Sequence, residues 1–474
     1  VYETLNNKDR DQAISLNARA FAEFKISKDL KFTTNYAIDK RSLNSSSYTN
    51  RLIGDAAGAG GATKENTVFT GVTFNQIFDY SKSFGLHNLT AMLGHESFEY
   101  TTSFVTGTKR GQTVNDNTEL INFVSVTDLS SYSRGYTTES YFSRLGYDYD
   151  GRYLLSASYR RDGSSKFSKD NRWGDFWSFG AAWNISKESF LVNNSWINDL
   201  RLRGSFGEVG NDSHTDNTGL NFYVNQRLYS LGFDNITDGG FIANSVGSPN
   251  LKWEKNTQAD IAVEFSTFKN RFSGSVEYYN RKTDGLIFEV PLPLSLGLDN
   301  KVENIGSMYN HGIEVSLNGT IIKTADFSWD LNVNASTIDN KITSLPQKEI
   351  ISGSKKYSVG SSAFDYWLRD WYGVDSADGY ALYVIDPNLS TAGAADERVV
   401  NGVNVTTNQN KALYHYAGSA LPDLFGSFNN TFKYKGFELS MLFTYQLGGK
   451  TYDTNYASLM HTGNQYGSAL STDI

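Results

Sequence analysis

Trp177-Ser178-Phe179-Gly180-Ala181-Ala182-Trp183-Asn184-Ile185 places large or apolar side chains at every odd position and small or polar ones at every even position. Successive side chains of a strand point to opposite faces, so period two marks a strand whose two faces meet different surroundings. The same pattern recurs along the chain. Phe327, Trp329, Leu331, Val333 and Ala335 alternate with Ser328, Asp330, Asn332, Asn334 and Ser336. Phe437, Leu439, Met441, Phe443 and Tyr445 alternate with Glu438, Ser440, Thr444 and Gln446, Leu442 being the exception. Near the start, Leu16, Ala18, Ala20, Ala22, Phe24 and Ile26 lie opposite Asn17, Arg19, Glu23 and Lys25, with Phe21 as the exception, and the alternation restarts at Leu30, Phe32, Tyr36 and Ile38. Such segments predict about fourteen strands, many roughly ten residues long. Ten residues at about 3.3 Å each, tilted near 40°, climb roughly 25 Å, the height of an outer-membrane apolar band.

Composition agrees with one large β object. The 474 residues are 20% charged and 14% aromatic, with Tyr 29, Phe 30 and only Pro 6. A net charge of −8 opposes nucleic-acid binding, which needs a basic face to displace counterions. Cys 0 excludes disulfide frameworks, thiolate metal sites and cysteine nucleophiles. Mean hydropathy of −0.43 and the lack of a long apolar run exclude a transmembrane helix, but not a barrel, whose apolar face occupies alternate residues. The chain opens at Val1 and closes at Ile474 in a polar stretch, which reads as the edges of a segment.

Connection lengths sharpen the reading. The tight or moderate links Ser27–Asp29, Tyr80–Leu86, Asp150–Arg152, Lys187–Ile197, Phe268–Arg271, Gly319–Asp326 and Lys435–Gly436 alternate with long polar stretches. Those stretches are Lys40–Asn66, Phe98–Thr137, Asp162–Gly174, Glu208–Asn256, Arg281–Asn310 and Asp339–Asp423. Tight periplasmic turns and long extracellular loops give a barrel this parity. Tyr147, Tyr149 and Tyr153 bracket one tight turn and Tyr434 and Phe437 another, the positions of an interfacial girdle.

Several stretches carry a family resemblance: Ser140 to Tyr147 (SYFSRLGY), Tyr153 to Phe167 (YLLSASYRRDGSSKF), Asn171-Arg172-Trp173-Gly174, Asn198 to Gly207 (NDLRLRGSFG), Leu251-Lys252-Trp253-Glu254-Lys255, Pro291-Leu292-Pro293, Asn304-Ile305-Gly306-Ser307, Gly312 to Leu317 (GIEVSL), Ser419-Ala420-Leu421-Pro422 and Phe443 to Lys450 (FTYQLGGK). Together they resemble the barrel of the SusC/RagA family of TonB-dependent outer-membrane transporters of Bacteroidota. The resemblance implies an all-β transmembrane antiparallel barrel of about 22 strands, of which residues 1–474 form a fragment of about fourteen. By that resemblance the N-terminal extension, plug and closing strands lie outside this chain. It further implies a SusD-like surface lipoprotein, drive from TonB-ExbB-ExbD through the missing N-terminal part, and oligosaccharide or peptide cargo. No cofactor is expected.

The candidate cargo contacts are Asp365, Tyr366, Trp367, Arg369, Asp370, Trp371 and Tyr372, in the longest expected extracellular segment. Flat rings stack on sugars or peptide planes while Asp and Arg orient hydroxyls or amides. The alternative is that these rings pack the loop onto itself or onto the lipoprotein. Arg160, Arg161, Asp162 and Lys166 suggest either an anion site or a charged support at a loop base. Enzyme motifs fail. His95-Glu96-Ser97-Phe98-Glu99 ends in Glu where a zincin needs His, and it is expected at a strand end. Gly58-Ala59-Gly60-Gly61 lacks the following Lys-Ser/Thr of a phosphate loop, and Asp375 to Gly379 reads as a turn rather than a calcium loop. The histidines, including His214 and His461, form no sequence cluster. The chain is therefore expected to be an importer and not an enzyme. The alternatives are a soluble glycan-binding or glycan-cleaving module with paired carboxylates, or a surface-assembly or secretion barrel.

Overall fold

The computed structural model describes residues 5–459 except 192, 193, 214, 217, 218, 236, 237 and 299, so His214 and His461 lie outside the described residues. The chain divides into two units. The first contains β1 (Lys8–Lys25), β2 (Leu30–Thr49), β3 (Gly61–Phe84), β4 (His87–Gln112), β5 (Phe123–Tyr149), β6 (Tyr153–Ser164) and nearly all of β7 (Trp173–Asn184). Strands β8 (Ile197–Asn211) and β9 (Glu254–Thr267) contribute residues to both. The second contains β10 (Phe272–Asp284), β11 (Ser307–Lys323), β12 (Phe327–Ser336), β13 (Leu424–Tyr434) and β14 (Phe437–Leu447). These fourteen strands follow one another in chain order, an up-and-down meander, as the alternation predicts.

In the first unit the register aligns the apolar positions into rows. Beside the Asp150–Arg152 turn, His87, Tyr149, Tyr153 and Trp183 face one another. Next come Leu89, Tyr147, Leu155 and Ala181, then Ala91, Leu145, Ala157 and Phe179, then Leu93, Ser143, Tyr159 and Trp177. The fifth row is His95, Tyr141, Arg161 and Asp175, where charge appears. From Tyr149 to Tyr141 the strand rises about 26 Å at 3.3 Å per residue, or roughly 20 Å of height at a 40° tilt. Leu93 is 61% exposed, Leu145 55% and Phe179 49%. Water would leave rows of such side chains unsolvated, whereas acyl chains match them, so this face is the lipid face. The aromatic row beside the turn is the girdle.

Rows run across the strands, so a tilted sheet carries each one obliquely through the membrane. Ala18, Ile38 and Val72 are apolar, yet the same row continues as Glu99 and Thr137 on β4 and β5. The margin of the apolar band thus climbs from Trp177 on β7 toward Ile38 on β2.

Strand length departs from expectation. The stretches 40–66 and 98–137, expected as loops, are mostly strand: β2 continues to Thr49, β3 begins at Gly61, and β4 and β5 pair from His87–Tyr149 up to Gln112–Phe123. At 27 residues β5 extends about 90 Å. Its upper part carries Ser on both faces, with Thr on one and Tyr on the other, which suit a pleated ladder but leave no period-two signal. Connections at that end shrink to 50–60, 113–122 and 165–172, and the alternation of short and long links remains except at 185–196, which is longer than the 165–172 link before it.

The second unit has its own apolar row, Leu317, Val333, Phe428 and Phe443. Phe428 and Phe443 stack at 4.9 Å between centroids. Asn430, which points to this face, accepts a 3.1 Å hydrogen bond from Trp329 Nε1 and so is not left bare. Lys435 and Gly436 close β13 to β14 with φ of 42° and 94°, the positive pair that a two-residue hairpin requires. The expected 339–423 loop is largely folded. Strands 349–352, 355–358, 365–369 and 414–419 make one four-stranded antiparallel sheet, and 371–374, 381–384, 397–400 and 403–406 make another. Their strands are only four to six residues long and carry little alternation, which conceals them in the sequence.

Candidate functional site

The face opposite the lipid rows is polar and connected. In the first unit Arg19 Nη2 donates to Asn35 Oδ1 at 2.6 Å, Asn35 Nδ2 to Asn75 Oδ1 at 2.7 Å, and Asn75 Nδ2 to Glu96 Oε2 at 3.5 Å. Arg160 Nη2 lies 3.7 Å from Glu96 Oε1 and donates to Ser140 Oγ at 2.9 Å, while its Nε donates to Asp162 Oδ1 at 2.6 Å. The chain of contacts crosses β1 to β6. In the second unit Arg203 reaches Glu277 at 2.5 Å, Glu264 at 2.8 Å and Asp260 at 3.6 Å. Such walls present donors and acceptors to a hydrated interior.

Arg160, Arg161, Asp162 and Lys166 do not converge on one anion site. Arg160 and Asp162 belong to the inner chain, whereas Arg161 points to the lipid side, 3.6 Å from Asp175 and with its guanidinium 5.5 Å from the Trp173 ring centre. Lys166 is buried, 3.0 Å from Asp212, with its ammonium 4.3 Å from the Tyr136 ring centre. Asp212 also accepts from Ser164 Oγ at 2.7 Å. Beside it Phe167, 1% exposed, packs with Val224, Leu251, Val302 and Trp253, and Trp253 Nε1 donates to the Arg172 carbonyl at 2.8 Å. The motif residues thus anchor the 212–253 connection onto the inner face, where Phe222 meets Tyr100 and Tyr136.

The seven candidate contacts fall on neighbouring strands of the two small sheets: Asp365, Tyr366, Trp367 and Arg369 on 365–369, Trp371 and Tyr372 on 371–374, with Asp370 between them. Most are occupied by their surroundings. Trp367 stacks on Tyr414 at 6.0 Å, meets Tyr416 edge-on at 4.8 Å, and has the Lys356 ammonium 4.2 Å from its ring centre. Lys355 sits 3.7 Å above the Tyr366 ring, and burial pulls its ammonium pKa below the ordinary lysine range, with Asp365 opposing that shift. Asp365 accepts from Ser362 N at 3.0 Å, Arg369 Nε donates to the Gln409 carbonyl at 3.0 Å, and Tyr372 donates to the Val400 carbonyl at 3.1 Å. The Asp370 backbone is bonded on both sides, to Leu413 and Val384. Trp371 differs: it is 53% exposed and touches Tyr383 edge-on. Tyr414 and Tyr416 stand outside the candidate set, although Tyr414-His415-Tyr416 is itself a short period-two signal.

His95 lies within β4 and not at a strand end, the strand being longer than expected; its ring bonds Gln76 and Glu139, each at 2.6 Å. Asp375 and Asp378 both clamp Arg398, at 2.5 and 2.7 Å, which makes the 375–379 segment an ion-paired turn. Their carboxyls are held below the usual range, that of Asp375 chiefly by the Ala377 amide and then by Arg398, that of Asp378 chiefly by Arg398.

A meander with lipid-facing apolar rows, an aromatic girdle beside tight turns and a polar opposite wall defines a segment of an outer-membrane β-barrel. The family model described as TonB dependent receptor-like, beta-barrel, matches residues 2–467, and the chain belongs to that family, in its SusC/RagA branch. It is 31% identical over 443 residues to TonB-dependent receptor P26 of Formosa agariphila, covering 89% of this chain and 43% of that protein. It is 30% identical over 391 residues to TonB-dependent receptor SusC of Bacteroides thetaiotaomicron, covering 80% and 38%. The RagAB peptide importer in its closed-closed state superposes with a TM-score of 0.83 at 24% identity, covering 94% of this chain and 49% of that one, a likeness of fold. The chain spans about half the length of the curated relatives it matches, or less. It is an outer-membrane barrel protein and not an enzyme, which sets aside the soluble-module alternative.

Proposed function

We propose that this barrel segment serves active import of oligosaccharides or peptides across the outer membrane, beneath a SusD-like surface lipoprotein and driven by TonB-ExbB-ExbD. One observation carries the reading: a wall apolar on one side and linked on the other by hydrogen bonds and one ion pair, from Arg19 to Asp162. Such a wall encloses an aqueous path for a polar solute. The kinship to SusC and the fold shared with a peptide importer support the same reading. Trp371 is the candidate platform for cargo, since Trp367 and Tyr366 have their rings occupied.

The test uses the full-length protein in its native host. Deletion should abolish growth on one class of oligosaccharide or peptide, and affinity purification from native membranes should recover a surface lipoprotein. Trp371→Ala should weaken cargo binding about tenfold, roughly 1.4 kcal/mol, the scale of one stacking contact. Undiminished uptake in the deletion strain, with loss of a surface structure instead, would support the assembly-platform reading over this one.

A further inference from the structure

Just beyond the apolar band, the lipid-side face of the first unit holds a recess of about 310 Å³. Its walls are Val72 and Phe74 on β3, Glu99 on β4, Glu139 on β5, Arg172 just before β7 and Trp173 at its start. The register places it on the outer wall. Phe74, Ser97, Glu139, Gly163 and Trp173 form one row, and the next row toward the turns contains His95, Tyr141 and Arg161. The recess exists because its floor is Ser97, Thr137 and Gly163, all small among large neighbours. At Gly163 a Cβ would lie 2.9 Å from the Trp173 ring, so only glycine lets the indole lie this close to the sheet.

Its polar groups are unequal. Glu139 is engaged by His95 at 2.6 Å and by the Tyr141 hydroxyl at 3.3 Å. Glu99 is exposed and has no hydrogen-bond or ion-pair partner among the described residues. Arg172 Nε is buried and has no hydrogen-bond partner among them either. The Arg172 side chain, which lines the recess, has no ion pair among the described residues, so an occupant fits that accepts from its guanidinium, donates to Glu99 and covers the part of the Trp173 indole that Arg161 leaves open. A bare cation meets the guanidinium, and a phosphate meets two carboxylates against one arginine; neither fits. A hydroxyl-bearing sugar ring satisfies all three demands.

Val72 and Phe74 belong to the apolar margin, whereas Glu99, Glu139 and Arg172 stand beyond it, which is the depth of lipid headgroups. A cargo sugar passing along the inner face does not reach the outer wall. We propose that this recess binds the sugar headgroup of a glycolipid of the outer leaflet, holding it against the barrel. The inference rests on the outer-membrane placement and not on the import reading.

The test extracts the full-length protein from native membranes in lauryldimethylamine oxide, a detergent without sugar, and measures lipopolysaccharide retained per barrel by mass spectrometry. The unaltered protein should retain it at near-equimolar level after washing. Trp173→Ala and the recess-filling Ser97→Trp should each lower retention about tenfold, while Leu93→Ala, two rows nearer the turns, leaves it unchanged. Heat-modifiable migration verifies that each variant is folded, and cargo uptake by the same strains separates failure here from failure of the import reading. Equal retention in all four proteins, or none in the unaltered one, overturns the proposal. Displacement of the glycolipid by free maltohexaose as readily as by added lipopolysaccharide assigns the recess to a soluble sugar and overturns the lipid source.

Discussion

Strand β5 is one continuous ladder between β4 and β6, but its two parts keep different company. From Glu139 to Tyr149 its odd side chains face lipid with Tyr141, Leu145 and Tyr147, and its even ones face the polar interior with Ser140 and Arg144. From Phe123 to Thr137 it pairs with β4 just as regularly, yet Ser130, Ser131, Ser133 and Arg134 appear on both sides. The backbone is indifferent to this change. Hydrogen-bonded pairing needs only residues that tolerate extended geometry, whereas alternation records two unlike solvents. The lower part is specified by the membrane and the upper part by local packing, above all where Phe167 and Trp253 fasten a connection to its inner face.

That contrast can be broken at several points. Phe167→Ala should cost about 3–5 kcal/mol locally, as for a fully buried aromatic. Hydrogen exchange should then accelerate in the 221–253 connection and the upper ends of β5 to β7, but not in the rows between Tyr141 and Tyr149. Uniform acceleration would mean that the upper part has no stability of its own. Phe179→Arg, midway between the girdle and the charged row, should cost about 2–4 kcal/mol in refolding titrations of the full-length barrel into bilayers. Leu129→Arg, also exposed but on the upper part of β5, should fall within about 0.5 kcal/mol of the unaltered protein. Similar costs at the two sites would erase the distinction. Gly436→Val forces a β-branched residue into a φ of 94° and should destabilise the β13–β14 hairpin by roughly 1–2 kcal/mol in the same titrations.

The smallest effect concerns acid. Asp375 and Asp378 have pKa values below those of an unfolded chain, so their stabilisation is complete above the ordinary carboxylate range and fades as pH falls through the lowered values. Hydrogen exchange in the 371–406 sheet should therefore be flat near neutrality and rise only below about pH 4, with the membrane rows unaffected. A rise near pH 6 would implicate a histidine instead.

The parts legible from sequence are those where solvent changes across a sheet. Phe327–Ser336 is read to the residue, and the Asp150–Arg152, Phe268–Arg271 and Lys435–Gly436 turns fall where their polar breaks place them. The 98–137 stretch fails the same reading because water on both sides removes the contrast, not because the chain leaves the sheet. Parity alone also puts Arg19, Asn35, Asn75 and Glu96 opposite the apolar set, but only register reveals that they touch. Among the candidate contacts, Trp367 and Trp371 look alike in sequence. Lys356, Tyr414 and Tyr416, separated from both along the chain, enclose one and leave the other open.

The cross-strand rows carry a consequence for assembly. Sliding β7 by two residues against β6 would bring Asp175 level with Tyr159 and deeper among acyl chains, away from Arg161. The misplaced carboxylate would lose its ionic neighbour in the medium least able to solvate it. Every hairpin added to the growing wall therefore tests its own alignment, and the bilayer itself acts as the proofreader.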